Sequence, residues 1–334
     1  MTRSFHRRRL LQTGLSSLAM AHGLAGPARA MISGSEELRA GYVPDSQEMI
    51  EAPGGRIYVR SNGDVTGGKT PLVMIHGGPG SCHADLTPAV LYRGDRPIIL
   101  YDQLDSGLSE APGKEENWKV ERFVDELGAV LDHFGAERYH ILGHSWGGSI
   151  LLEHALRNDP RSAGLIFQGA LVSTQDWIAD TDVLRTRLPE ETQQTLTECG
   201  TDFSGEECGA ALDEFYANFL RRDDYSPAQQ AYRAQIDNLW NQEIYEYMWG
   251  PTEFVSTGTL SDYDRSDDLG ELEGRDTLFS TAEYDEARPE SYEKYAEAAG
   301  GAFAVVPDGA HAIFIDNPSG AMRVIEDFLT GIDG

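Results

Sequence analysis

Residues 138–156 read RYHILGHSWGGSILLEHAL, with Ser145 between Gly143 and Gly147 in a G-x-S-x-G pattern. An apolar run precedes the serine and a helix-like run follows it. A serine on a sharp strand-to-helix turn has its hydroxyl pushed clear of the backbone, and the following helix aims N–H groups at it. This setting makes Ser145 the candidate nucleophile. A serine hydroxyl is weak without a base. In a parallel-sheet protein with such an elbow, an acid and then a histidine follow the serine along the chain. Only His154 and His311, of nine histidines, come after Ser145. His154 lies on the helix leaving the elbow and cannot turn back. His311, in PDGAHAIF, is therefore the expected base. The stretch TLFSTAEYDEARPE offers Asp285 and Glu286 after a strand. Asp285 is nearer the strand end and is expected to orient His311. Asp308 sits too close to His311 in sequence and reads as a turn residue. The backbone N–H groups of Trp146 and of Gly78, in HGGPG at residues 76–80, are the expected oxyanion donors.

These residues need a frame. MIEAPGGRIYVRSN reads as a hairpin around Gly54-Gly55, and PLVMIHGGPG, RPIILYDQ, YHILGHS and AGLIFQGA read as buried strands. VERFVDELGAVLDHFGA and WGGSILLEHALRND carry helical spacing. Alternating strands and helices predict an α/β fold with a mostly parallel sheet flanked by helices. The alternation stops near residue 172. Residues 172–261 are acidic, aromatic-rich and helical in pattern. Strands then return in DTLFSTAEYD and AFAVVPDGAH, before a last helix in SGAMRVIEDFLTG. The expected organisation is a core of residues 31–171 and 262–334 with a helical cap, 172–261, inserted. GDVTGGKT, residues 63–70, matches the letters of a phosphate loop, but a strand follows it where a helix is required.

The first thirty residues hold five arginines and no acid, with Arg7-Arg8-Arg9 before Leu10-Leu11, a weakly apolar run, and Ala28-Arg29-Ala30. The order resembles a twin-arginine export signal ending in a peptidase site. It predicts passage through export machinery to a periplasmic or secreted location, with no stable membrane anchor after cleavage. Without that segment the chain keeps 22 basic against 55 acidic residues, a net charge of −33. Such a surface repels nucleic acid and anionic lipid. In an oxidising compartment Cys199 and Cys208 can close a small loop, leaving Cys82 single.

HGGPG, GHSWGG and YDEARPE together resemble the proline iminopeptidase group of the α/β-hydrolase superfamily, and YDQLDSGLS, residues 101–109, resembles that group's loop after the next strand. The likeness covers nearly all of residues 40–334. It implies the α/β-hydrolase fold and a serine hydrolase that releases an N-terminal residue from a small peptide, or cleaves an amino-acid amide, without a cofactor. MWGPTEF, residues 248–254, resembles a cap segment whose glutamate binds the substrate's free amine. The resemblance assigns that role to Glu253, and a second amine-binding role to Glu286. Ala282 stands where the group usually has glycine, and Arg275-Asp276 stands where a proline is common. An amidase or small-molecule esterase is the nearest alternative. A non-catalytic binding protein is a further one, which the complete Ser, Asp and His set argues against.

Overall fold

The computed structural model describes residues 41–334. The export-signal residues therefore lie outside the described part. Eight strands form one sheet in the order β1-β2-β4-β3-β5-β6-β7-β8. β1 (Ser46–Ala52) and β2 (Gly55–Asn62) make the hairpin, and β2 runs antiparallel to β4 (Ile98–Tyr101). β3 (Leu72–Ile75), β5 (Tyr139–His144), β6 (Ser162–Gln168), β7 (Asp276–Ala282) and β8 (Ala302–Val306) continue in parallel from β4.

Side chains of a strand alternate between faces. Val73 and Ile75 enter one apolar layer, while Leu72 and Met74 enter another. Both faces must then be covered by helices. α1 (Val120–Phe134) buries Phe123, Val124, Leu127, Val130 and Leu131, the i, i+4, i+7 stripe of an amphipathic helix. It stops at Gly135, whose left-handed φ of 64° suits a residue without Cβ. α1, α2 (Trp146–Leu156) and, later in the chain, α8 (Pro289–Ala299) cover the first layer, as the burial of Phe123, Ile150 and Tyr292 in one cluster shows. The short α9 (Ile313–Asp316) and the long α10 (Pro318–Asp333) cover the second, with Phe314, Met322, Ile325 and Leu329.

Between β6 and β7 lie five helices: α3 (Thr174–Arg185), α4 (Glu190–Cys199), α5 (Glu206–Phe219), α6 (Pro227–Arg233) and α7 (Gln242–Met248). α3, α4 and α5 bury a small core of their own, including Leu184, Leu196, Phe215 and Phe254. α6 is tied to the sheet end by polar contacts. The buried Asp102 carboxylate accepts the His83 N–H and faces His83 Nδ1, and His83 Nε2 lies 2.7 Å from the Tyr232 hydroxyl on α6. Asn241 caps α7 and also donates Nδ2 to the Asp105 carbonyl.

Cys199 and Cys208 are joined, with Cα atoms 5.9 Å apart, and Cys82 is free and buried. The bond closes the α4–α5 turn, so breaking it should cost about 2–3 kcal/mol of stability. Alkylation in denaturant should modify one thiol before reduction and three after it, by intact mass. Three modified thiols without reduction would contradict this pairing.

Candidate active site

The loops that carry Ser145, Asp285 and His311 follow the parallel strands, at the C-terminal edge where open α/β sheets bind ligands. Ser145 follows β5 directly and has φ 56° and ψ −128°, outside the ordinary regions for a residue with a side chain. Backbone strain of this kind persists only where the surroundings hold it. Here the Ser145 N–H donates to the Gln168 carbonyl, and the Ser145 carbonyl accepts from Gly148 and Leu171. A Cβ on Gly147 would stand 2.4 Å from the Ile75 carbonyl oxygen, so only glycine lets the elbow pack against β3.

His311 lies on the loop after β8 and Asp285 on the loop after β7. His311 Nδ1 is 2.7 Å from Asp285 Oδ1, and both residues are buried. The Ala287 and Ala282 N–H groups also donate to Asp285. Burial alone would raise the Asp285 pKa, but the facing His311 and these donors outweigh it and hold the carboxyl below its usual range. Burial would lower the His311 pKa, yet Asp285 wins and raises it. With Nδ1 engaged, Nε2 is the nitrogen left for a proton from a substrate or nucleophile. Ser145 and His311 line one cavity of about 1070 Å³.

Two histidines missed as site residues in sequence support this loop set. His144 donates Nε2 to the His311 carbonyl at 2.8 Å, and its ring lies 4.8 Å from the His311 ring. Burial and the charge of His311 push the His144 pKa down to about 4, so it stays neutral as a backbone prop. His76 opens HGGPG. Its Nε2 accepts the Gln103 N–H, while Gln103 donates to the His76 carbonyl and accepts from the Trp146 indole. Gln103 thus ties the HGGPG loop to the first residue of α2. A Cβ on Gly77 would stand 2.7 Å from the Ser145 Cβ, which shows how closely this loop approaches the nucleophile candidate. Gly78 lines the same cavity. His154, by contrast, is buried on α2 against the Ser162 hydroxyl, and Asp308 is a left-handed turn residue with φ 55°.

Glu253 and Glu286 also come together. Glu253 accepts from the Tyr245 hydroxyl at 2.5 Å and from the Trp177 indole at 3.1 Å. Glu286 is fully buried; among the described residues no N–H or O–H group donates to its carboxylate, and its polar neighbour is the Glu253 carboxylate. Burial raises the pKa of both groups, and for Glu286 the charges of Glu253 and Asp285 raise it further. A buried carboxylate with no partner is costly. One shared proton, or a cation between the two, relieves it. Trp177 also packs its edge on the His311 ring, with centroids 5.3 Å apart, so the glutamate pair and the His311–Asp285 pair share a wall.

An α/β hydrolase fold family model matches residues 70–318 of the chain. The chain is 34% identical to a proline iminopeptidase from Heyndrickxia coagulans over 291 residues, which cover 86% of this chain and 99% of the relative. The chain belongs to the proline iminopeptidase family of α/β-hydrolases. Solved structures agree in fold. The proline iminopeptidase of Mycobacterium smegmatis superposes with a TM-score of 0.76 at 27% identity, covering 86% of this chain and 99% of that one. VinJ superposes with a TM-score of 0.77 at 29% identity, covering 87% and 100%.

As a hydrolase of the proline iminopeptidase family, the chain departs from the group's pattern at Ala282, and the acid loop here brings Asp285 to His311. Ala282 is buried at the end of β7, and its N–H donates to Asp285 Oδ2 at 3.2 Å. Among the described residues no cluster of three or more His, Cys, Asp or Glu has the arrangement of a metal site.

Proposed function

We propose that this chain is an exported serine aminopeptidase. It cleaves the amide bond beside a free α-amine, with Ser145 as nucleophile, His311 as base and Asp285 as orienting acid. The observation that carries the reading is Glu286: a fully buried carboxyl that receives no N–H or O–H donor among the described residues, paired with the Glu253 carboxyl and one residue from Asp285. Its chemistry asks for a cation, and a substrate's N-terminal ammonium supplies one next to the scissile carbonyl.

In this account Ser145 Oγ attacks the carbonyl carbon as its proton passes to His311 Nε2. The Gly78 and Trp146 N–H groups take the developing oxyanion. The C–N bond then breaks, and His311 returns the proton to the leaving amine. Water, deprotonated by His311, hydrolyses the acyl-enzyme and frees Ser145. Asp285 stabilises the charged imidazole in both halves.

The test is fluorophosphonate labelling followed by a substrate panel: aminoacyl and prolyl naphthylamides, amino-acid amides and simple esters. Labelling at Ser145 with turnover of free-amine amides is expected. Turnover of esters alone would put the esterase reading in its place, and failure to label would favour a binding protein. Export is supported by the basic, apolar and small-x-small order of residues 1–30 and by a disulfide suited to an oxidising compartment. N-terminal sequencing of protein from native cell fractions should find a mature chain beginning near Met31. An uncut cytoplasmic chain would overturn that part of the proposal.

A further inference from the structure

The cavity carries arginines as well as Glu253. Tyr225, between α5 and α6, is stacked between two guanidinium groups, with Arg221 4.3 Å and Arg233 4.2 Å from its ring centre. All three residues line the cavity that holds Ser145 and His311. Arg233 is ion-paired with Asp85, which also takes the Ser81 hydroxyl at 2.5 Å. Arg221 forms no ion pair among the described residues and is only partly exposed. Asp223 and Asp224 follow it on the same rim, but both are exposed. In a chain with twice as many acids as bases, the Arg221 guanidinium is held in this cavity by the Tyr225 side chain, with no carboxylate paired to it among the described residues; its neighbour Arg222, also unpaired, is exposed.

Its place in the fold is set by the catalytic loops. The His311 N–H donates to the Phe219 carbonyl at 3.0 Å and the Ala312 N–H to the Leu220 carbonyl at 2.7 Å, which pins the chain just before Arg221 beside the base. Ser81 and Asp85 follow directly on HGGPG. The stacked wall therefore runs between the loop of the base and the loop of the oxyanion donors. The ammonium of a substrate sits two bonds from the scissile carbonyl carbon, so it stays with Glu253 and Glu286. The remainder of the substrate, beyond the scissile nitrogen, must occupy the rest of the cavity, and about 1070 Å³ leaves room for more than one residue.

We propose that Arg221, braced on Tyr225, binds the C-terminal carboxylate of a di- or tripeptide. The substrates are then short peptides with both ends free, recognised by opposite charges at opposite ends. A guanidinium fork matches a carboxylate with two parallel N–H donors, and the stacked ring holds that fork in place. This inference rests on the aminopeptidase reading above and adds a specificity-determining residue to it.

The experiment measures kcat and KM of the mature chain on alanyl and prolyl di- and tripeptides, each as the free acid and as the C-terminal amide, with an aminoacyl naphthylamide alongside. Wild type should favour the free acid of at least one peptide length by about ten-fold or more. Arg221→Gln should bring that ratio near one, mainly by raising KM for the free acid. Arg221→Lys should keep part of it, and thermal unfolding of each variant reports whether it folds. Equal use of acid and amide by wild type would overturn the proposal, as would a preference that survives in Arg221→Gln. Naphthylamide turnover without any preference for free acids sinks the Arg221 assignment alone. No turnover of any free-amine amide sinks the aminopeptidase reading with it.

Discussion

Ser145→Ala should lower kcat on an aminoacyl naphthylamide by roughly 10⁴- to 10⁶-fold and abolish fluorophosphonate labelling. The size of the effect follows from the division of labour. In the proposed mechanism no other group forms the acyl-enzyme, and what would remain is the oxyanion donors and binding alone. The variant should still fold, because alanine keeps the Cβ and the elbow is held by backbone bonds from Ser145 to Gln168, Gly148 and Leu171. Thermal unfolding near the wild-type temperature would establish that. A mutant that still labels at another serine, with wild-type turnover, would remove Ser145 from the mechanism.

The second large effect concerns the glutamate pair. Glu253→Gln or Glu286→Gln should reduce kcat/KM for free-amine substrates by roughly ten- to a hundred-fold, since a charge-assisted hydrogen bond is worth about 1.5–3 kcal/mol. A short ester without an amine should lose far less. The same residues should appear in stability measured without substrate. Burial and neighbouring negative charge raise the pKa of the pair in the folded chain. In the unfolded chain a glutamate releases its proton near about 4.3. The proton held by the folded pair therefore favours folding below that value, and the benefit is lost as pH rises through the raised folded pKa. Wild type should lose Tm as pH rises above about 4.3, the unfolded glutamate value, and Glu286→Gln should flatten that slope. A variant with the wild-type slope would show that the pair carries no such penalty.

Much of this site was legible in sequence because its signals are local. The elbow needs a strand, a strained turn and a helix in one continuous stretch, and residues 138–156 supply all three in order. The chain order of serine, acid and histidine then left few candidates, and the structure brings Asp285 and His311 together as that reading required. The alternation of strands and helices likewise carried the parallel sheet, whose strands are short apolar runs buried on both faces. What sequence did not expose is contact between distant loops. Gln103 was visible only as part of a loop resembling the family, although it links His76 to Trp146. Tyr245 and Trp177 carry no motif, yet they orient Glu253 from two separate cap helices. The helix α8 also went unmarked, since its tyrosine and alanine stripe is weakly apolar and its burial against the sheet is decided by packing.

In the proposed function a free amine is the handle by which this hydrolase accepts its substrate. The most direct test compares kcat/KM of the wild-type mature chain on one aminoacyl naphthylamide and on its N-acetylated form, under the same conditions. Acetylation removes the ammonium and leaves the scissile amide unchanged. A preference of roughly a hundred-fold or more for the free amine is expected, because the buried Glu286 and half-buried Glu253 carboxyls lose the ammonium placed between them. Equal rates on the two substrates would contradict it, and the glutamate pair would then need another purpose.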